Sequence, residues 1–182
     1  MDPLTAHQRA QDAFASVLAN VRQEQLDSPT PCQGWKVRDL VDHVIAGNTR
    51  MAGGEAKPSG VATGVDELIE AHSESARDAQ ERFAAPDGLT RMMDMPFGSV
   101  PGGVVIGLRT TDAITHAWDL AKATGQPTDV DPQLAERMLA VSRERIQPAF
   151  RGEGRPFGAE QPCDEGRPAA DRLAAFLGRD VG

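Results

Sequence analysis

The chain has no tyrosine and few aromatics of any kind, 4% of its residues, so its core must rest on Ala, Leu, Val and Ile. Cysteine is almost absent. Cys32 and Cys163 are too few and too far apart for a disulfide framework, which sets the expectation of a reduced, cytoplasmic protein. No apolar run approaches the roughly 20 residues of a membrane span. The opening MDPLTAHQRAQD lacks the basic and apolar regions of a secretory signal. Basic residues are outnumbered, 19 Lys and Arg against 27 Asp and Glu, and a net charge of −8 argues against nucleic acid as a partner. What is present, 40% apolar and 25% charged residues in a chain of 182, suits a single soluble domain over 1–182 with a sizeable core.

Apolar periodicity predicts helices throughout. In residues 3–25, Ala10, Phe14, Val17, Leu18 and Val21 recur at spacings of three and four. SPTPCQGW (Ser28 to Trp35) breaks that helix with two prolines and a glycine. A second helix carries Val37, Leu40, Val41, Val44 and Ile45 on one side. Lys36 stands where a Ser or Thr cap is expected, although Asp39 suits the positive end of the dipole. Gly53, Gly54, Pro58 and Gly60 mark a flexible loop. A third helix runs from about Val65 to Phe83, with Leu68, Ile69, His72, Ala79 and Phe83 along one face. APDGLTRMMDMPFGSVPGG then reads as a long loop, a candidate gate from Pro86 to Gly103. The fourth helix extends from near Val104 to Gly125, a natural C′ residue. Asp131-Pro132 supplies an N-cap and N1 proline for a fifth, ending near Gln147. Pro148 to Pro168 reads as irregular, and AADRLAAFLG as a short closing helix. No repeat and no sustained period-two alternation appear, so the fold class is all-α and bundle-like.

The chemistry concentrates in RTTDAITHAWDLAKATG (Arg109 to Gly125). Asp112 and His116 lie four residues apart, which stacks them one turn apart on a single helix face. A carboxylate and an imidazole so placed can reach the same divalent ion. His43, on the second helix, is the candidate third ligand, and His72, within the third helix's apolar stripe, is a rival for that place. Two other readings stay open: Asp112 paired with Arg109, and His116 an ordinary partly buried histidine. Asp119, three residues after His116, is placed to orient an imidazole or to join a surface charge pattern. Cys32 precedes the second helix, either as a thiol activated near Lys36 or as a small buried residue. Trp118 reads as packing and His7 as surface. Gly98, Gly102 and Gly103 form no phosphate loop, since no Lys-Ser/Thr follows.

TPCQGWKVRDLVDHV (Thr30 to Val44), THAWDLAKATGQ (Thr115 to Gln126) and ADRLAAFLGRD (Ala170 to Asp180) together resemble an actinobacterial DinB/YfiT-like metal-binding family related to the N-terminal domain of mycothiol-dependent maleylpyruvate isomerase. The resemblance spans nearly the whole chain. It implies a DinB-like four-helix bundle, here with an extra helix and a short C-terminal helix. It also implies a divalent metal, zinc or nickel, on His43, Asp112 and His116. Lys36 departs from the Thr that many relatives carry after the GW motif. The two-domain isomerases add a C-terminal domain for which 182 residues leave no room. Three protein ligands leave an open position, the pattern of catalytic sites. The expected activity is a metal- and thiol-dependent transferase or isomerase on a small electrophile, with mycothiol as the type of cosubstrate and no protein nucleophile. The alternatives are a metal-dependent hydrolase with Asp119 as base, and a non-enzymatic metal-binding or ligand-sensing module. A homodimer through a helix face is compatible with each, and neither nucleic acid nor membrane is an expected partner.

Overall fold

The first helix, α1 (Pro3–Leu18), starts where Asp2 accepts the Thr5 backbone N–H at 3.0 Å and Pro3 presets the first turn. The computed structural model describes residues 1–55, 64–152 and 157–182. The helix expected over 3–25 stops at Leu18. Asn20 donates its side-chain amide to Ser16 O at 2.8 Å, and the chain turns into a single 3₁₀ turn at Gln23–Gln25. Val21 and Leu26 remain buried below that turn, so the apolar stripe outlasts the helix that it suggested.

A tight loop precedes α2 (Val37–Met51). Thr30 binds Trp35 O through both its N–H and its hydroxyl, each at 3.0 Å, and Gly34 takes φ +80°. Lys36 caps nothing with its side chain. Asp39 instead accepts the Lys36 N–H at 2.9 Å and supplies the missing cap from inside the first turn. α3 (Val65–Ala84) follows, its first N–H held by the Gln23 side chain at 3.0 Å. Of the expected flexible loop, Pro58 and Gly60 lie outside the described residues.

The segment expected as a plain loop contains an antiparallel hairpin, β1 (Met92–Met95) paired with β2 (Gly98–Pro101), in the register Met92↔Pro101 and Met95↔Gly98. Four-residue strands broken by Pro and Gly are too short to register as alternation. Met93, Met95 and Val100 rest on Phe83, Val105 and Ile106, so the hairpin packs on the first turns of the next helix.

That helix, α4 (Gly102–Thr124), is the axis of the molecule. It contacts α1, α2, α5 (Pro132–Arg145) and α6 (Ala169–Phe176), and is buried at Val105, Ala113, Ile114, Ala117, Trp118, Leu120 and Ala121. Gly125 ends it in the left-handed conformation at φ 70°. One apolar cluster joins α1, α2 and α4 through Phe14, Leu18, Val41 and Leu120. A second joins α4 to α5 and α6 through Trp118, Leu139, Leu173 and Phe176. Trp118 packs there, as expected, with its indole N–H on Asp171 at 2.7 Å. The architecture is therefore an α1–α4 bundle with an added helix and a short closing one. No helix among the described residues is long and apolar enough to cross a membrane.

Candidate metal centre

Two helices bring three donors together. Asp112 and His116 share a face of α4, and α2 presents His43 across from them. Oδ1 of Asp112 lies 3.3 Å from His43 Nε2 and 3.5 Å from His116 Nε2. One ligand atom from each residue lies within 4.8 Å of the other two. Ligands about 2.0–2.2 Å from a tetrahedral zinc ion stand roughly 3.3 Å apart. Two imidazole nitrogens and one carboxylate oxygen at these separations therefore suit a borderline divalent cation in both chemistry and spacing.

Each α4 donor is held from behind. Arg109 donates to the other oxygen of Asp112, Oδ2, at 2.9 Å. The pairing of Asp112 with Arg109 thus coexists with its approach to the histidines, one oxygen for each. Behind His116, Nδ1 donates to Asp119 Oδ2 at 2.9 Å, which turns Nε2 towards His43 and Asp112. Asp119 is fully buried and is gripped by Arg179, from the segment after α6, at 3.0 and 3.2 Å.

Electrostatics bind the set further. Burial opposes the charge of Asp112, but Arg109 and His116 outweigh it and hold the carboxyl well below its usual range. Burial likewise opposes an imidazolium at His116, yet the flanking carboxylates raise it well above the usual histidine value. Without metal, His116 is a proton-bearing ring between two carboxylates. A divalent cation bound at Nε2 would take the proton's place.

Sequence reasoning raised Cys32 but gave it the wrong cation, and it missed Trp35 and Arg179 as neighbours of the site. Cys32 Sγ lies 3.3 Å from Asp119 Oδ2, 3.7 Å from Arg179 Nη2 and 4.0 Å from His116 Nδ1. Its neighbouring cation is Arg179 and not Lys36, which pairs with Asp27 at 2.9 Å. Cys32, His116 and Asp119 form another close donor group, but the Arg179 guanidinium sits against two of its three donors and repels a second cation. Trp35 lies along both imidazoles, its ring 4.9 Å from His43 and stacked at 6.0 Å on His116. The GW turn and the FLGRD tail were visible as motifs, yet nothing in their spacing pointed at α4.

The remaining histidines lie elsewhere. His72 Nε2 donates to Gln11 Oε1 at 3.0 Å and its ring packs on Phe14. His7, expected at the surface, is fully buried, its Nδ1 donating to Gln80 Oε1 at 2.8 Å.

The family model of the mycothiol maleylpyruvate isomerase N-terminal domain matches residues 7–95. Two Mycobacterium tuberculosis proteins named as uncharacterized, from two strains, are each 56% identical over 181 residues, covering 100% of this chain and 100% of their own. Among solved structures, the mycothiol-dependent maleylpyruvate isomerase superposes with a TM-score of 0.60 at 19% identity, over 76% of this chain and 66% of that one. A histidine mutant of the same enzyme gives 0.60 at 18% identity. The chain spans just under two-thirds of the isomerase's length, and at such identity the likeness is one of fold.

Proposed function

The chain belongs to the DinB-like family that includes the N-terminal domain of mycothiol maleylpyruvate isomerase, and on that premise we propose that it binds one divalent cation, zinc or nickel, on His43, Asp112 and His116 and joins a small thiol of the mycothiol type to a small electrophile, as a thiol-dependent transferase or isomerase. The observation that supports this most is the convergence of three donors from α2 and α4 on one point, with Arg109 behind Asp112 and Asp119 behind His116.

A divalent cation bound there supplies a Lewis acid that favours the thiolate, the nucleophilic form of a thiol. The chain's own residues do the rest. Asp119 and Arg179 fix the ring of His116, so Nε2 faces the open side. Trp35 walls the His43/His116 edge with an apolar ring that limits water. The hydrolase alternative would take Asp119 as its base. Asp119 is fully buried and engaged by His116 and Arg179, out of reach of a reacting water.

Elemental analysis tests the binding. Native protein is expected to carry about one metal per chain, and His116→Ala much less. Zinc- or nickel-loaded protein, given a small thiol and a model electrophile, is expected to form adduct only when metal is present. Cleavage by water without thiol would move the protein to the hydrolases, and neither activity would leave a binding module.

A further inference from the structure

Arg109 is a charged side chain that reaches from the candidate centre into the neutral interior of the bundle. It is 8% exposed, and its guanidinium spans two environments. Nη1 donates to Asp112 Oδ2 at 2.9 Å. Nη2 reaches Val44 O at 3.3 Å and Asn48 Oδ1 at 3.5 Å, both on α2. Asn48 is in turn locked to Gln11 by reciprocal amide bonds of 3.0 and 3.1 Å, and Gln11 accepts from His72. The guanidinium therefore rests on a layer of uncharged polar groups drawn from α1, α2 and α3.

Room for it is made by one residue. A Cβ on Gly47 of α2 would overlap the guanidinium carbon and both terminal nitrogens of Arg109. Nothing about the backbone requires glycine at that position, which lies inside a regular helix and not in a left-handed turn. The missing side chain is needed for the arginine.

We propose that Arg109, seated against Gly47, is a positioning residue: it occupies Oδ2 of Asp112 and so aims Oδ1 alone at the point shared with His43 and His116. This rests on the metal-binding reading above. Asp112 is 27% exposed at its side chain, and rotation about its terminal carboxylate bond exchanges two equivalent oxygens, so without the fork either oxygen could turn to the centre. The network reaching back to Gln11 fixes the fork itself, and a precise ligand needs a rigid support.

Two variants separate aim from charge, because both keep the positive charge. Gly47→Ala adds one methyl that displaces the guanidinium of Arg109 and changes none of the three donor residues. Arg109→Lys keeps the cation and loses the planar fork. Metal-free proteins would be compared by zinc titration against a competing chelator, by the visible spectrum after loading with cobalt(II), and by thermal unfolding. The expected result for Gly47→Ala is roughly a tenfold loss of zinc affinity and altered cobalt bands, with a lower unfolding midpoint as well, since displacing the buried guanidinium from its hydrogen bonds outweighs alanine's preference for a helix. Arg109→Lys is expected to move affinity and bands the same way. Native affinity and native bands in both variants would overturn the inference while leaving the metal reading intact. A native chain that takes up no zinc would overturn the metal reading, and this inference with it. Should Gly47→Ala fail to fold, Arg109→Lys alone decides by the same two readouts.

Discussion

The protein has four histidines, and the bundle divides them into two pairs whose neighbours differ by one functional group. His43 and His116 face carboxylates: Asp112 lies between them and Asp119 behind the second. His7 and His72 face carboxamides, Gln80 and Gln11. The consequence is opposite electrostatics within one core. Carboxylates raise His116 well above the usual histidine value. Burial pushes His7 down, and His72 down to about 4, because an amide offers no charge to offset desolvation. A carboxylate prepares an imidazole to exchange its proton for a cation, whereas an amide makes it a neutral structural element. Arg109 is the hinge between the two layers, with one arm on Asp112 and the other on Asn48.

Exchanging the loss of one histidine for another should break metal binding and folding apart. His43→Ala is expected to lower zinc affinity by about a hundredfold or more. Its effect on unfolding should be small, since 35% of the His43 side chain is already exposed. His72→Ala should do the reverse. It leaves a cavity beside Phe14 and removes the donor to Gln11, for a loss of about 2–4 kcal/mol in denaturant unfolding. Its metal content should stay at the native level if the fold is kept. A folded His72→Ala chain without metal would erase the division between the pairs.

The comparison sharpens at Asp119, where one atom changes. Asp119→Asn keeps the shape but converts the carboxylate behind His116 into the amide found behind His72. Zinc affinity is expected to fall roughly tenfold to a hundredfold. Arg179, 18% exposed at its side chain, loses its ion partner at the same time, so a lower unfolding midpoint should accompany the change. Zinc titration with an undiminished affinity would show that Asp119 serves only Arg179.

How much of this could be read beforehand depended on distance along the chain. Asp112 and His116 were legible because helical periodicity brings residues four apart together. Gly125 and Asp131-Pro132 were legible because helix ends carry their own chemistry. His43 was reachable as a histidine near an apolar stripe, and family resemblance selected it over His72. Arg179 was not legible, since its partner Asp119 is 60 positions away and no periodicity links them. Cys32 and Trp35 are aimed by the hydrogen bonds of Thr30 and the positive φ of Gly34, which are properties of one loop. His7 is different, because its signal was present. It stands three and seven residues before Ala10 and Phe14, in phase with the buried stripe, and its polarity outweighed its phase. The hairpin escaped because its two strands have one inward face of only Met93, Met95 and Val100.

The smallest expected effect is also the one that tests the electrostatic contrast most directly: the pH dependence of metal-free stability. In the unfolded chain a histidine titrates near 6.5. Folded His72 stays neutral down to about 4, so between those values the unfolded state takes up a proton that the folded state refuses. Its contribution is therefore complete above the unfolded value and is lost as the pH falls towards 4, with a change of about 1 kcal/mol between pH 6.5 and 5.5. His7 acts in the same sense. Among the groups around His72, Gln11 and Phe14 are neutral, and Asp12 pulls weakly the other way. His116 has the opposite slope. Its folded value is raised, so its contribution is complete below the unfolded value and disappears as the pH rises through the folded one. Urea unfolding of native and His72→Gln chains, both stripped of metal, isolates the acid limb, because glutamine keeps a donor to Gln11 and cannot titrate. The native chain should lose about 1 kcal/mol more than the variant between pH 6.5 and 5.5. Parallel curves would mean that His72 accepts its proton in place, and that an amide neighbour does not keep a buried histidine neutral in this bundle.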